Sequence, residues 1–381
     1  MADVIAIGAR RDVVAAVSLF LLVNGLALAM NGVRHGGDTP LYTDGAQRIR
    51  DGRPLEGRQP SYRGYIWAVA GAEAAGTGPA GVIAAQLVAG AAAAAAIYAM
   101  AAALAGRVAG GLAAVLVAVD FDTNRWHQFI LADSLYISLF TIAVWSTHRA
   151  AIRRGAPSVA AAMTVLVAAA LVRPEGWFTI PAAIAYVVWM RARTVGRRMA
   201  GIGALLLASV LVVVTVAPSM SGNLQAVGPA AMLQRGQTIW DYDGWRIVMP
   251  PAEPTTAGQA GSAIRYAVDH PFSTIRLMAA RVAVHFAHVR PFYSLPHNAV
   301  IVVWLVPVYA AALFATWRLR RVPLVLWLVL AIATQTLVVA LTHAESDGRY
   351  LAHVLPLIHA LAAAAVALTI APERTQQPVD V

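Results

Sequence analysis

Long apolar runs broken by short polar intervals set the pattern of this chain. Runs long enough to cross about 30 Å of hydrocarbon cover residues 13–33, 80–104, 131–147, 159–172, 177–190, 199–217, 299–317, 322–341 and 351–370. A shorter run, 108–119, reads as a further span, because without it the alternation of charge described below fails. The pattern predicts an all-α polytopic membrane protein with about ten transmembrane helices. Two polar intervals are long, 34–75 and 218–298. In the first, Thr39 is a good N-cap and Pro40 suits the first helical position, which predicts a short helix over 40–50. Residues 62–75 are apolar yet hold Arg63 and Glu73, so they read as an interfacial helix lying on the membrane. In the second interval, 275–289 is apolar but interrupted by Arg276, Arg281, His285 and His288, as in an interfacial helix or one lining a cavity. No internal repeat is evident, and 1–381 reads as one integral membrane domain without a separate soluble domain.

The Arg clusters fall on alternate sides of these runs. Arg10/Arg11, Arg107, Arg149/Arg153/Arg154, Arg191/Arg193/Arg197/Arg198 and Arg318/Arg320/Arg321 share one side, which the positive-inside rule makes cytoplasmic. Of the acids only Asp3, Asp12, Glu373 and Asp380 join them. Both termini are therefore expected inside, and Asp38, Asp122, Trp240 and Arg349 outside, as in a bacterial inner-membrane protein whose chemistry faces outward. Composition agrees: 59% hydrophobic, 13% charged and a mean hydropathy of +0.64 exclude an ordinary soluble domain. The absence of cysteine rules out disulfides, thiolate metal sites and Cys nucleophiles. All 29 basic residues are Arg, which removes Schiff-base chemistry and the Walker A lysine, and so argues against an ATP-driven pump. The net charge of +10 follows the span alternation rather than forming a nucleic-acid patch. Ala27-Leu28-Ala29 resembles a signal-peptidase site, but the run before it exceeds the usual length and cleavage would detach Asp38.

Asp38, just past the first run, is the leading candidate for chemistry. An acid at a water–lipid boundary is costly without a task or a partner. A helix N-terminus there would keep it ionised and could also hold a phosphate. That combination suits a carboxylate base acting on a lipid-linked phosphate; a helix-capping acid is the bland reading. Tyr42 lies four residues on, and Asp44 is the fallback base. Asp120 and Asp122, spaced i, i+2, could ligate a divalent cation, or one could pair with Arg125. Asp133, inside a span, should face a polar cavity. Arg173 and Arg349 stand at outer boundaries and could grip phosphate bidentately or snorkel to headgroups; Glu175 and Tyr350 accompany them. Arg48, Arg50, Arg53, Arg58 and Arg63 form a solvated basic face in the first loop. Trp240-Asp241-Tyr242-Asp243-Gly244-Trp245 interleaves rings with acids, which suits sugar faces and hydroxyls or an interfacial aromatic belt. His285 and His288 lack a third ligand for zinc.

In order, these pieces resemble the GT-C superfamily of polyprenyl-phosphate-sugar-dependent glycosyltransferases. The likeness is to the branch with the protein O-mannosyltransferases, the lipid A aminoarabinose transferase and galacturonosyltransferase-like enzymes. The matching residues are Asp38 and Tyr42, Gly52-Arg53-Pro54-Leu55, Ser61-Tyr62-Arg63-Gly64-Tyr65, Leu131-Ala132-Asp133-Ser134-Leu135-Tyr136, Arg173-Pro174, and Arg349-Tyr350 with Pro356. The resemblance implies a GT-C fold and inverting transfer of a sugar from a polyprenyl-phosphate carrier to an envelope acceptor on the outer face, with Asp38 as base. Partners would be the lipid-linked donor, an envelope acceptor and membrane lipids, not nucleic acid; a divalent cation is the candidate cofactor. His353 stands where relatives often carry a second proline, and the large acceptor-binding domain of some relatives has no counterpart. A transporter or flippase would show matched halves or broken mid-membrane helices, and neither is evident. An inactive relative is a third possibility.

Overall fold

The computed structural model describes residues 2–153, 155–192, 196, 199–201, 203, 233–251 and 259–370. Most of the expected span over 199–217, and Arg154, Arg193, Arg197 and Arg198, lie outside the described residues.

The first described helix, α1 (Ala2–Asn31), carries the first apolar run. Two short helices follow, α2 (Thr39–Arg50) and α3 (Arg63–Ala74). The next, α4 (Gly78–Val119), is 42 residues long, about twice what a membrane needs. It is two arms. Ala105 (φ −148°) and Gly106 (φ +81°, ψ 179°) leave helical geometry. A Cβ on Gly110 would lie 3.0 Å from the Tyr98 carbonyl oxygen, and Tyr98 packs with Ala114. In a straight helix these residues would be far apart at 1.5 Å per residue, so the chain reverses at Ala105–Gly106. A side chain would be strained at that φ, which is why the position is Gly. The reversal is the one that the charge pattern around Arg107 requires.

The longer helices that follow among the described residues are α5 (Ala132–Ile152), α6 (Ala156–Val172), α7 (Thr179–Arg191), α8 (Gln259–Asp269), α9 (Pro271–Ala287), α10 (Leu295–Arg318), α11 (Pro323–Leu341) and α12 (Leu355–Ile370). Among the described residues four helices, counting α4 as one, are long and apolar enough by composition to cross a membrane; α6 and α12 are shorter apolar helices. The fold is the all-α polytopic membrane architecture expected, with one departure. Strands β1 (Gln237–Ile239) and β2 (Tyr242–Arg246) form an antiparallel hairpin in a segment where no strand was anticipated.

Helix α12 is apolar apart from His359 and Thr369, and Leu355–Ala365 is buried throughout, as expected of a helix at the centre of a bundle. Its small residues Ala360 and Ala362–Ala365 allow close approach by neighbours, here α4 and α10. Helix α3 buries Tyr65, Ile66, Val69 and Ala70 against α2, α4 and α6. A Cβ on Gly64 would lie 2.8 Å from the Leu171 backbone, so α3 starts in close contact with α6. Away from the polar end, Asp12, Tyr98 and Arg107 join in one cluster (Arg107 Nε to Asp12 Oδ2, 2.6 Å) beside a cleft of about 560 Å³ between α1 and α4.

Candidate functional site

Four stretches distant in sequence meet at the other end of the bundle: 34–63, 120–133, 173–178 and 342–354. Backbone pairing stitches the first to the second. Arg34 N donates to Gln128 O (2.8 Å) and Ile130 N to Arg34 O (3.0 Å), while Thr39 Oγ1 donates to Ile130 O (3.0 Å). This corrects the cap assignment. Asp38 is the N-cap of α2 and Thr39 lies inside the helix, because the Thr39 hydroxyl is committed to the neighbouring loop. Asp38 makes no side-chain capping bond; its carboxylate turns toward two guanidiniums. Arg349 Nη1 donates to Asp38 Oδ2 at 2.8 Å, and Arg58 Nη2 lies 3.6 Å from Oδ1. The side chains of Asp38 and Arg349 keep 24% and 20% of their surface exposed, so water and solutes reach the pair. Arg349 Nε also donates to Asp347 Oδ2 (3.2 Å), and its guanidinium lies 6.0 Å from the Trp126 ring centre.

Behind this pair is a second cluster. Arg173 pairs with Asp133 and with both oxygens of Glu175 (2.9 and 3.2 Å), and His353 Nε2 approaches Asp133 Oδ1 at 3.4 Å. Arg173 and Asp133 are sealed, with 3% and 0% side-chain exposure. The Tyr350 ring lies 5.4 Å from the Arg173 guanidinium. His353 packs edge-on against Tyr136 (4.7 Å), whose hydroxyl donates to Gln335 Oε1 (2.9 Å). Asp133 therefore meets a buried guanidinium instead of the expected polar cavity. Arg173 meets two protein carboxylates at the place where a donor phosphate was expected.

Asp120 and Asp122 reach the same end. Asp120 is buried and accepts the Thr123 hydroxyl; burial pushes its carboxyl up to about 7. Asp122 lies 3.5 Å from His288 Nε2 and 3.8 Å from Arg125. Burial would raise its carboxyl, but His288 and Arg125 outweigh burial and hold it below the usual range. Arg125 also donates to the Asp347 carbonyl and lies over Trp126 (4.5 Å). No third acid or histidine joins the two carboxylates in a metal-sized group among the described residues.

Other anticipated residues fall elsewhere. Tyr42 is 1% exposed and packs against Tyr62 and Tyr65, a core position. Asp44 is on the exposed side of α2. The first-loop arginines are largely neutralised within the loop: Arg48 pairs with Glu56, Arg50 with Glu73 and Arg53 with Asp51. Arg63 donates to the Pro60 carbonyl, and Arg58 reaches Asp38, a role that sequence reading did not separate from its neighbours. Trp240 and Trp245 sit on the β hairpin. Trp240 N donates to Ala344 O (2.8 Å) and Ala344 N to Thr238 O (3.0 Å), so the hairpin is tied to the segment carrying Asp347 and Arg349. In α9, Arg281 donates to the carbonyls of Ala340 and Leu341 (3.2 Å each), which cap the C-terminal end of α11. Arg290 donates to the Glu345 carbonyl (2.8 Å). These two arginines, and the His288–Asp122 contact, were not anticipated as supports of the site.

Residues 64–219 match the family model described as dolichyl-phosphate-mannose-protein mannosyltransferase; the match includes Asp120, Asp122, Asp133, Arg173 and Glu175 and stops short of Asp38 and Arg349. Among solved structures, the chain is similar to the archaeal oligosaccharyltransferase AglB from Archaeoglobus fulgidus, captured with an inhibitory peptide and a dolichol-phosphate. Identity is 14% and the TM-score 0.55 over 96% of this chain. The chain spans about half of that protein, 50% of its length. No curated protein matches. Residues 64–219, less than half of the chain, carry the family likeness, and the likeness to AglB is one of fold.

Proposed function

We propose that this chain is a GT-C superfamily glycosyltransferase that transfers a sugar from a polyprenyl-phosphate carrier to a hydroxyl acceptor of the cell envelope, with inversion and at the outer membrane face. The observation that carries this reading is the accessible Arg349–Asp38 pair at the head of an apolar bundle. Similarity to a dolichyl-phosphate-mannose-protein mannosyltransferase family and to a protein captured with a dolichol-phosphate agrees with it. The Arg-rich helix ends at the opposite side favour the outward orientation.

The geometry suggests the following steps. At rest, Arg349 donates to the Asp38 carboxylate and Arg58 stands beside it. A donor phosphate is a second anion for the same guanidiniums, and Arg holds two phosphate oxygens at once. When the phosphate takes Arg349, Asp38 is released to accept the proton of the acceptor hydroxyl. The acceptor oxygen bonds to the anomeric carbon as the bond from that carbon to the phosphate oxygen breaks. The electron pair leaves with the polyprenyl phosphate, whose charge Arg349 and Arg58 stabilise. The leaving group is already an anion of low basicity, so no general acid is required. The Asp133–Arg173–Glu175 cluster holds Tyr350, and with it Arg349, in place.

The test is turnover of a radiolabelled polyprenyl-phosphate sugar by purified protein in lipid nanodiscs, comparing wild type with Asp38→Asn. Loss of roughly 10²–10⁴-fold in rate with folding intact is expected when a general base is removed. Activity within a few-fold of wild type would take the base role from Asp38. Sugar-lipid scrambling without bond cleavage would indicate a flippase instead.

A further inference from the structure

The hairpin β1–β2 carries large rings at its turn and on its outer strand. Trp240 and Asp241 form the two-residue turn, since Ile239 pairs directly with Tyr242. Asp241 holds φ +55°, a left-handed conformation that side chains other than Asn, Asp and Gly seldom adopt. Trp240, Trp245 and Phe292 are 44%, 40% and 49% exposed. Large half-exposed rings clustered at one place mark a binding surface.

Two trains of rings run from this hairpin to the reacting pair. In one, Trp240 packs on His343 (4.7 Å, 33°), and His343 lies 6.2 Å from Tyr350, the neighbour of Arg349. In the other, Trp245 meets Tyr242 (6.4 Å), Tyr242 meets Phe292 (5.5 Å) and Phe292 meets Tyr293 (5.2 Å). The Tyr293 hydroxyl donates to Ser346 O (3.0 Å). Both trains end on residues 343–350, the stretch whose Arg349 holds Asp38.

Polar groups are interleaved with these rings. Asp243 accepts from Arg246 and Gln237 (2.8 and 2.7 Å), and Asp241 follows Trp240 in the turn. His343 Nε2 lies 3.6 Å from Glu345. A lipid tail would be repelled by carboxylates at this density, and a peptide, which can use either a strand edge or an aromatic groove, is the competing occupant that the test below separates. Pyranose rings meet both requirements, stacking their C–H faces on aromatics and bonding their hydroxyls to carboxylates.

We infer that the β1–β2 hairpin, with Phe292 and His343, is the acceptor subsite and that the acceptor it takes is a glycan. The inference rests on the transferase reading for the word acceptor, but saccharide binding is measured without turnover, so the two fail separately. The full chain in zwitterionic nanodiscs is probed by residue-resolved oxidative footprinting of its tryptophans. The probes are a panel of pyranose and furanose tetrasaccharides and a Thr-containing hexapeptide. Trp317, exposed at the far end of α10, is the internal control. At least one tetrasaccharide is expected to protect Trp240 and Trp245 but not Trp317, both in wild type and in Asp38→Asn. In Trp240→Ala its apparent affinity should fall about tenfold, and in Trp240→Phe, which keeps an aromatic face, by about threefold or less. Protection by the peptide and by no saccharide would overturn the inference in favour of a protein acceptor. Tryptophans 240 and 245 that resist oxidation as bilayer-buried rings without any probe would overturn it in favour of a membrane belt. Saccharide protection that survives unchanged in Trp240→Ala would also overturn it.

Discussion

Two arginine–carboxylate clusters stand side by side at the polar end of this bundle, and they differ in access. Arg173, Asp133 and Glu175 are sealed and paired with one another, with Asp133 bonded through Oδ1 alone. Arg349 and Asp38 use the same chemistry with about a fifth to a quarter of each side chain open. A sealed pair cannot exchange partners without leaving a buried charge alone, so it serves as a frame. A part-exposed pair can trade one anion for another, because an incoming phosphate answers the guanidinium that the carboxylate leaves. Residue type and boundary position are the same in both clusters; burial divides them into frame and reagent.

The largest effect should come from breaking the frame. Arg173→Ala leaves two carboxylates buried without their cation, and a cost of about 3–5 kcal/mol is expected. Asp38→Ala removes half of a part-exposed pair whose remaining cation water can still reach, and should destabilise clearly less than Arg173→Ala. Thermal unfolding in matched detergent measures both. Equal destabilisation by the two would erase the distinction. Next is the reagent itself. Arg349→Lys keeps the charge but loses the two-point grip, and turnover should fall roughly tenfold, with Arg349→Ala weakening donor affinity further. A silent Arg349→Lys would assign the phosphate to Arg290 or the first-loop arginines.

The smallest effect concerns Asp120, which lies beyond the end of α4. Burial lifts its carboxyl from an ordinary 3.8 to about 7 in the folded protein. The folded state then holds the proton more tightly than the unfolded chain does. The stability this group contributes is present below about pH 4 and is lost as pH rises through about 7. The melting-temperature gap between wild type and Asp120→Asn should therefore move in favour of the variant from pH 5 to pH 8. A gap independent of pH would mean that Asp120 is ionised throughout.

Local signals were legible in the sequence; partners were not. The apolar runs and Arg107 foretold the reversal at Ala105–Gly106, and the acid after the first run marked Asp38. The N-cap was misplaced by one residue because the Thr39 hydroxyl is claimed by Ile130 O, a contact that no local pattern encodes. Arg173 and Arg349 looked alike, since each is an Arg at a span boundary. Their difference depends on Asp133 and Asp38, which come from helices far away in the chain. The hairpin was read as aromatics among acids, and its register became visible only once Ala344 paired with Thr238 and Trp240. Arg58 looked like its neighbours because the residue it serves, Asp38, lies outside its own turn of chain.

The central claim is that Arg349 passes from Asp38 to the donor's phosphate. A structure of the full chain with a short-chain polyprenyl phosphate tests it most directly. The account predicts the Arg349 guanidinium on the phosphate oxygens and the Asp38 carboxylate released toward the acceptor side. A phosphate held elsewhere, with the Arg349–Asp38 hydrogen bond still in place, would contradict it.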